Sequence, residues 1–128
     1  MEEKLVFDTL YEISLLVDVS LFCGLFAGED NSFSSFGVSG EDYERLSLIM
    51  ESKLSTEDDF YLQFGLLYDM FGEIALCVNA SLFLDLFNYE ENVLSFLGIS
   101  DEKYMIISNE VIDVRNVIDN EKKLLLTK

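Results

Sequence analysis

A chain of 128 residues has the length of one domain, and with half of its residues hydrophobic and 13% aromatic it carries ample core material, which excludes a disordered chain. Its 25 acids against 8 bases leave a net charge of −17, which opposes approach to DNA, RNA or an anionic membrane and favours basic partners, beyond keeping an apolar chain in solution. Histidine, tryptophan and proline are absent, so the commonest general base and zinc ligand are missing, and glycines and capping residues must punctuate the helices.

The sequence overlays itself without a gap at a shift of 61. Pairing residues 5–47 with 66–108 gives 19 identities in 43 pairs. The clearest block sets Ser20-Leu21-Phe22 on Ser81-Leu82-Phe83 and Leu25-Phe26 on Leu86-Phe87. Gly37, Ser39, Glu41, Tyr43 and Ser47 fall on Gly98, Ser100, Glu102, Tyr104 and Ser108.

Each unit opens with an amphipathic helix. The first has the stripe Leu5, Val6, Leu10, Ile13, Leu16 and Val17. Asp8, Glu12, Asp18 and Ser20 interrupt the apolar stretch 5–26, which therefore reads as core and not as a membrane span. Asp18-Val19-Ser20 is a notch of helix-capping residues, followed by a short helix with Leu21, Phe22, Leu25 and Phe26 on one face. An acidic link over 27–30 leads to a brief helical turn ended by Gly37, where Val38 completes a left-handed cap. Ser39 then caps a helix whose first turn holds Glu41 and Asp42.

Ser55 and Asp58 mark the start of a helix over roughly 56–78. It carries Phe60, Phe64, Leu67, Phe71, Ile74, Ala75 and Val78 on one side and Leu62, Leu66, Met70 and Cys77 on the other. A helix apolar nearly all round is expected at the centre of the fold. Asn79-Ala80-Ser81, the link 88–91, Gly98-Ile99 and Ser100 then repeat the earlier punctuation. From Tyr104 onward, Met105-Ile106-Ile107 and Val111-Ile112 allow a strand, but Ile107, Val111, Val114 and Ile118 keep helical spacing, and a helix is favoured. Lys122, Lys123 and Lys128 make a basic tail.

The expected fold is an all-α compact helical bundle built from two tandem 61-residue helical repeats with pseudo-two-fold symmetry. It is read as a single domain over 1–128, with unit one at about 4–54, unit two at about 56–118 and the basic tail at 119–128.

Chemistry is tested mainly by elimination. Asp30, Ser32, Ser34 and Glu41 sit at calcium-loop spacing, but Ser35 stands where the turn needs glycine, and Val93 breaks the pattern in the second unit. Cys23 and Cys77 lie far apart with no histidine, so neither a zinc site nor an activated thiol follows; buried structural thiols are expected. Asn79-Ala80-Ser81 matches a glycosylation sequon, but its counterpart Asp18-Val19-Ser20 indicates capping. No phosphate-binding glycine loop or catalytic constellation stands out, so neither an enzyme nor a cofactor or metal is expected. The opening Met1-Glu2-Glu3-Lys4 has no basic n-region, and a cytoplasmic location is expected, in the host cell if the chain is phage-encoded.

By class and composition, the chain reads as an acidic intracellular protein-binding inhibitor. Carboxylates would stand where phosphates do, as in a DNA mimic of phage or mobile-element origin acting against restriction or CRISPR effectors. The expected contacts are Glu29, Asp30, Glu41, Asp42, Glu44, Glu57, Asp58, Asp59, Glu90 and Glu91. The expected partner is a basic nuclease or nucleic-acid-binding effector, with neither direct nucleic-acid binding nor a membrane. The alternatives are a homodimer or adaptor using an exposed Phe/Tyr-rich surface, from 11 phenylalanines and 6 tyrosines, or an immunity protein against a basic toxin.

Overall fold

The computed structural model describes residues 2–27, 30–55 and 65–126, and every regular element among them is helical. The α-helices are α1 (Glu2–Ser14), α2 (Val19–Leu25), α3 (Gly40–Leu54), α4 (Leu66–Ala75), α5 (Ala80–Asp85) and α6 (Asp101–Leu126). Short 3-10 turns at Ser34–Phe36, Leu86–Asn88 and Ser95–Leu97 connect them. The segment expected as strand or helix from Tyr104 is helix throughout its described length.

Buried side chains form one continuous cluster. From α1 it takes Leu5, Val6, Leu10 and Ile13, at the spacing of one helix face. Leu16, expected in the same stripe, is 36% exposed. The helix ends at Ser14, and the Leu16 N–H bonds to the Ile13 carbonyl at 2.9 Å, a tightened turn that swings Leu16 out and leaves Val17 buried. In α4 Leu66, Met70 and Ile74 are fully enclosed, with Leu67 and Phe71 almost so, but Tyr68, Gly72 and Leu76 leave one face open. The central helix is thus covered on most sides, and its open side also carries Asp69 and Glu73. The part expected over 56–64 lies outside the described residues.

Local chemistry decides where the helices stop. Asp18 accepts the Leu21 N–H at 3.0 Å and caps α2; Asn79 accepts the Leu82 N–H at 3.0 Å and caps α5. Ser39 caps α3 through the Asp42 N–H at 3.1 Å, and Ser100 caps α6 through the Lys103 N–H at 3.2 Å. Gly37 and Gly98 end their 3-10 turns with φ of 83° and 82°, the left-handed region that glycine enters without strain.

These glycines also allow a close approach between distant segments. A Cβ on Gly37 would lie 2.5 Å from the Asn79 Cβ, and one on Gly98 would lie 3.1 Å from the Asp18 Cβ. Beside them, the Asn79 N–H donates to the Phe36 carbonyl at 3.0 Å and the Asp18 N–H to the Leu97 carbonyl at 3.2 Å. Each turn therefore grips the helix cap of the other half. Leu21, expected to face the core, is half exposed because it lies over Gly98 at this contact.

The aromatic core also joins the halves. Phe22 stacks on Phe71 with centroids 5.1 Å apart, Phe36 meets Phe83 edge-on at 4.9 Å, and Phe33 meets Phe96 at 5.8 Å. No single helix among the described residues is long and apolar enough to cross a membrane, and the one pair that passes jointly, Leu66–Ala75 with Ala80–Asn88, is bent by 112°.

Candidate functional site

Of the ten acids expected to form the contact surface, Glu29, Glu57, Asp58 and Asp59 lie outside the described residues. Asp30, Glu41, Glu44, Glu90 and Glu91 are exposed, and Asp42 is half-buried. Glu41, Asp42 and Glu44 share the first turns of α3, where Ser39 sets the helix start and buried Tyr43 holds it down through its hydroxyl, which donates to the Leu25 carbonyl at 2.6 Å. Glu90 and Glu91 sit on the link before the Ser95–Leu97 turn.

Asp42 faces a cation of its own chain. Arg45 lies 3.7 Å from Asp42 and 3.9 Å from Glu73, and donates to the Cys77 sulfur at 2.9 Å. The fold thus ties the start of α3 to the end of α4. Cys77 and Cys23 are half-buried and free, which corrects the expectation of fully buried thiols. Cys77 lies at the surface end of α4, within reach of Arg45; Cys23 sits on the partly open flank of α2. Burial pushes the Cys23 thiol above its ordinary value. Burial also raises Cys77, aided by Asp42 and Glu73 and opposed by Arg45. Both thiols therefore stay protonated near neutral pH and are poor nucleophiles.

Two surface grooves flank α1, and sequence reasoning identified neither. The first runs between α1 and α6 and has a volume of about 370 Å³. Its carboxylates are Asp8, Glu12, Glu110 and Glu121, and its apolar wall includes Val114 and Val117, which are 41% and 56% exposed. The Glu12 carboxyl is held above the usual carboxylate range by burial first, then by its hydrogen bond to Glu110, and then by the charges of Glu110 and Asp8. The groove already holds one cation, Lys4, which lies 3.7 Å from Asp8. The sequence signal was faint: Asp8 and Glu12 are one helical turn apart, but Glu110 is nearly the whole chain away.

The second groove, of about 400 Å³, lies between α1 and α4. Phe7, Tyr11 and Tyr68 rim it, all about half exposed or more, and the Tyr11 and Tyr68 rings meet edge-on at 6.2 Å. Leu15, just past the end of α1, and Leu76, just past the end of α4, are exposed as well. Among the described phenylalanines only Phe7 is exposed, so the exposed aromatics of this groove are Phe7, Tyr11 and Tyr68.

Among the described residues, no group of three or more Cys, Asp or Glu gathers as a metal site would require. No protein-family model, curated protein or solved structure matches the chain.

Proposed function

We propose that the chain is an acidic protein-binding inhibitor that occupies the nucleic-acid-binding surface of a basic partner, in the manner of a phage or mobile-element DNA mimic. One observation carries this reading: the few bases are largely spent inside the molecule. Lys4 pairs with Asp8, Arg45 with Asp42 and Glu73, Lys53 with Asp69, Arg115 with Asp85, and Lys122 with Glu2, at 3.0 to 3.9 Å. The outward field is therefore that of the surplus acids, and Glu41 and Glu44 on α3 with Glu90 and Glu91 present it from helix starts and links. Such a field steers a basic partner and excludes its nucleic acid.

The scaffold for this surface is read as two tandem 61-residue units about a pseudo-two-fold axis. The recurrence of caps at Asp18 and Asn79, left-handed glycines at Gly37 and Gly98, and carbonyl contacts from each half to the other supports it.

The test is capture of a partner by the wild-type chain and by a charge-reversed chain. The reversed residues are Glu41, Asp42 and Glu44, then Glu90 and Glu91, then Glu57, Asp58 and Asp59. Partner capture should fall with each reversed group and should collapse in high salt. Capture indifferent to all three sets would sink the proposal. A second reading, an adaptor with an apolar contact, is favoured by the Phe7, Tyr11 and Tyr68 rim; substitution of Tyr11 and Tyr68 by serine would then abolish capture, and salt would not.

A further inference from the structure

Helices α3 and α6 are fastened differently along one flank. The Ser108 hydroxyl on α6 donates to the Phe87 carbonyl at 2.7 Å, and Arg115 pairs with Asp85 at 3.0 Å. These bonds tie the chain from α5 through the Leu86–Asn88 turn to α6. At a shift of 61 the corresponding residues are Ser47, Phe26, Leu54 and Gly24. Ser47 donates to the Tyr43 carbonyl of its own helix at 3.0 Å, and a leucine and a glycine cannot pair as Arg115 and Asp85 do. Helix α2 is held to α3 by Tyr43, whose hydroxyl takes the Leu25 carbonyl at 2.6 Å and whose ring stacks on Phe26 at 5.6 Å. Beside that hold, a groove of about 380 Å³ lies open between α2 and α3.

This groove is apolar and acidic at once. Met50 and half-buried Phe26 form its floor, and Leu48 and Leu54 stand 64% and 41% exposed above it. Along α3, Glu44, Leu48, Glu51 and Leu54 recur every three or four residues, in one row about 15 Å long. None of the described lining residues is basic, and among the described residues no base pairs with Glu44 or Glu51. The grooves beside α1 differ, because Lys4 pairs with Asp8, Lys53 with Asp69 and Arg45 with Glu73. Exposed leucines between unpaired carboxylates complement a surface that is apolar and basic. We infer that the α2/α3 groove receives a basic amphipathic helix of a partner protein. The apolar stripe of that helix lies on Phe26, Leu48 and Leu54, and its lysines or arginines reach Glu44 and Glu51. The row on α3 offers ridges of helical spacing, and about three turns of a second helix match its length.

The inference rests on the basic-partner reading and deepens it by naming the segment of the partner that is held. The net charge of −17 draws any basic chain, and salt screens that attraction. The leucines add the selection, since they reward only a chain that gathers its apolar side chains on one face.

The probe is a fluorescent peptide of leucine and lysine, about 14 residues or roughly four helical turns, with its leucines on one face. Its control has the same composition in an order that spreads the leucines all round. Binding of each to the full chain is read by fluorescence anisotropy. The ordered peptide should bind about tenfold tighter than the control. Leu48→Asn with Leu54→Arg, the residues found 61 positions later, should weaken the ordered peptide about tenfold, as should Glu44→Gln with Glu51→Gln. Circular dichroism should remain helical, because all four side chains are exposed. Glu90→Gln with Glu91→Gln should leave the ordered peptide bound. Equal binding of the two peptides, or an ordered peptide indifferent to the Leu48 and Leu54 changes, would overturn the inference and leave the basic-partner reading standing. So would binding lost on Tyr11→Ser with Tyr68→Ser instead. Failure of both peptides to bind at low salt would overturn the inference and the basic-partner reading together.

Discussion

Helices α3 and α6 share their inner construction and differ on their outer faces. Each follows a serine cap, carries two acids in its first turn, and buries a tyrosine whose hydroxyl donates to a backbone carbonyl 18 residues earlier, Leu25 for Tyr43 and Leu86 for Tyr104. Outward, α3 shows Glu41, Glu44 and Glu51 and stops at Leu54, whereas α6 shows Met105, Ile106, Val114 and Val117 and runs on to Leu126. What touches backbone and core is held in common, and what meets solvent is not. Function on such a scaffold belongs to the divergent faces, acidic on α3 and mixed apolar and acidic on α6.

The comparison breaks first in the core if it breaks at all. Phe22 and Phe83 occupy corresponding positions, and both are fully buried. Alanine at either should cost about 3–5 kcal/mol in urea unfolding, and a neutral result at one would show that the halves are not packed alike.

The glycines come next and should separate. Gly37→Ala brings a Cβ 2.5 Å from the Asn79 Cβ, at the start of α5, whereas Gly98→Ala first meets the flexible end of Leu21 at 3.0 Å. Both lose a left-handed glycine. Gly37→Ala should cost about 3 kcal/mol and Gly98→Ala about 1–2 kcal/mol, read from the same unfolding curves.

The caps should cost less and should match: Asp18→Ala and Asn79→Ala about 1 kcal/mol each. A large inequality would mean that one cap does more than close its helix.

The smallest effect concerns pH. Glu12 titrates above its ordinary value in the folded chain, so its favourable contribution is present at low pH and is lost as pH rises through the raised value. Glu12→Gln should therefore stabilise at neutral pH by a few tenths of a kcal/mol after solvent screening, and the gain should vanish in acid.

Much of the backbone was legible because its signals are local. Asp18, Asn79, Ser39 and Ser100 cap where residue type alone placed caps, and Gly37 and Gly98 turn left-handed where Val38 and Ile99 follow. The long α6 followed from the spacing of Ile107, Val111 and Ile118 against a β-branched composition. The surface was much less legible. Acids adjacent in sequence, such as Glu41 and Asp42, were easy to name, but the carboxylates that the fold gathers, Glu12 and Glu110, come from opposite ends of the chain. A count of phenylalanines does not say which of them a second helix covers, and Phe33, Phe36 and Phe87 are all covered.

Competition tests the acidic-surface account most directly. A basic protein captured by the chain is challenged with duplex DNA, and release is followed as DNA is added. The account predicts that DNA and the chain exclude one another and that charge reversal on α3 shifts the balance toward DNA. A captured partner that binds DNA and the chain at once, with neither weakening the other, would contradict it.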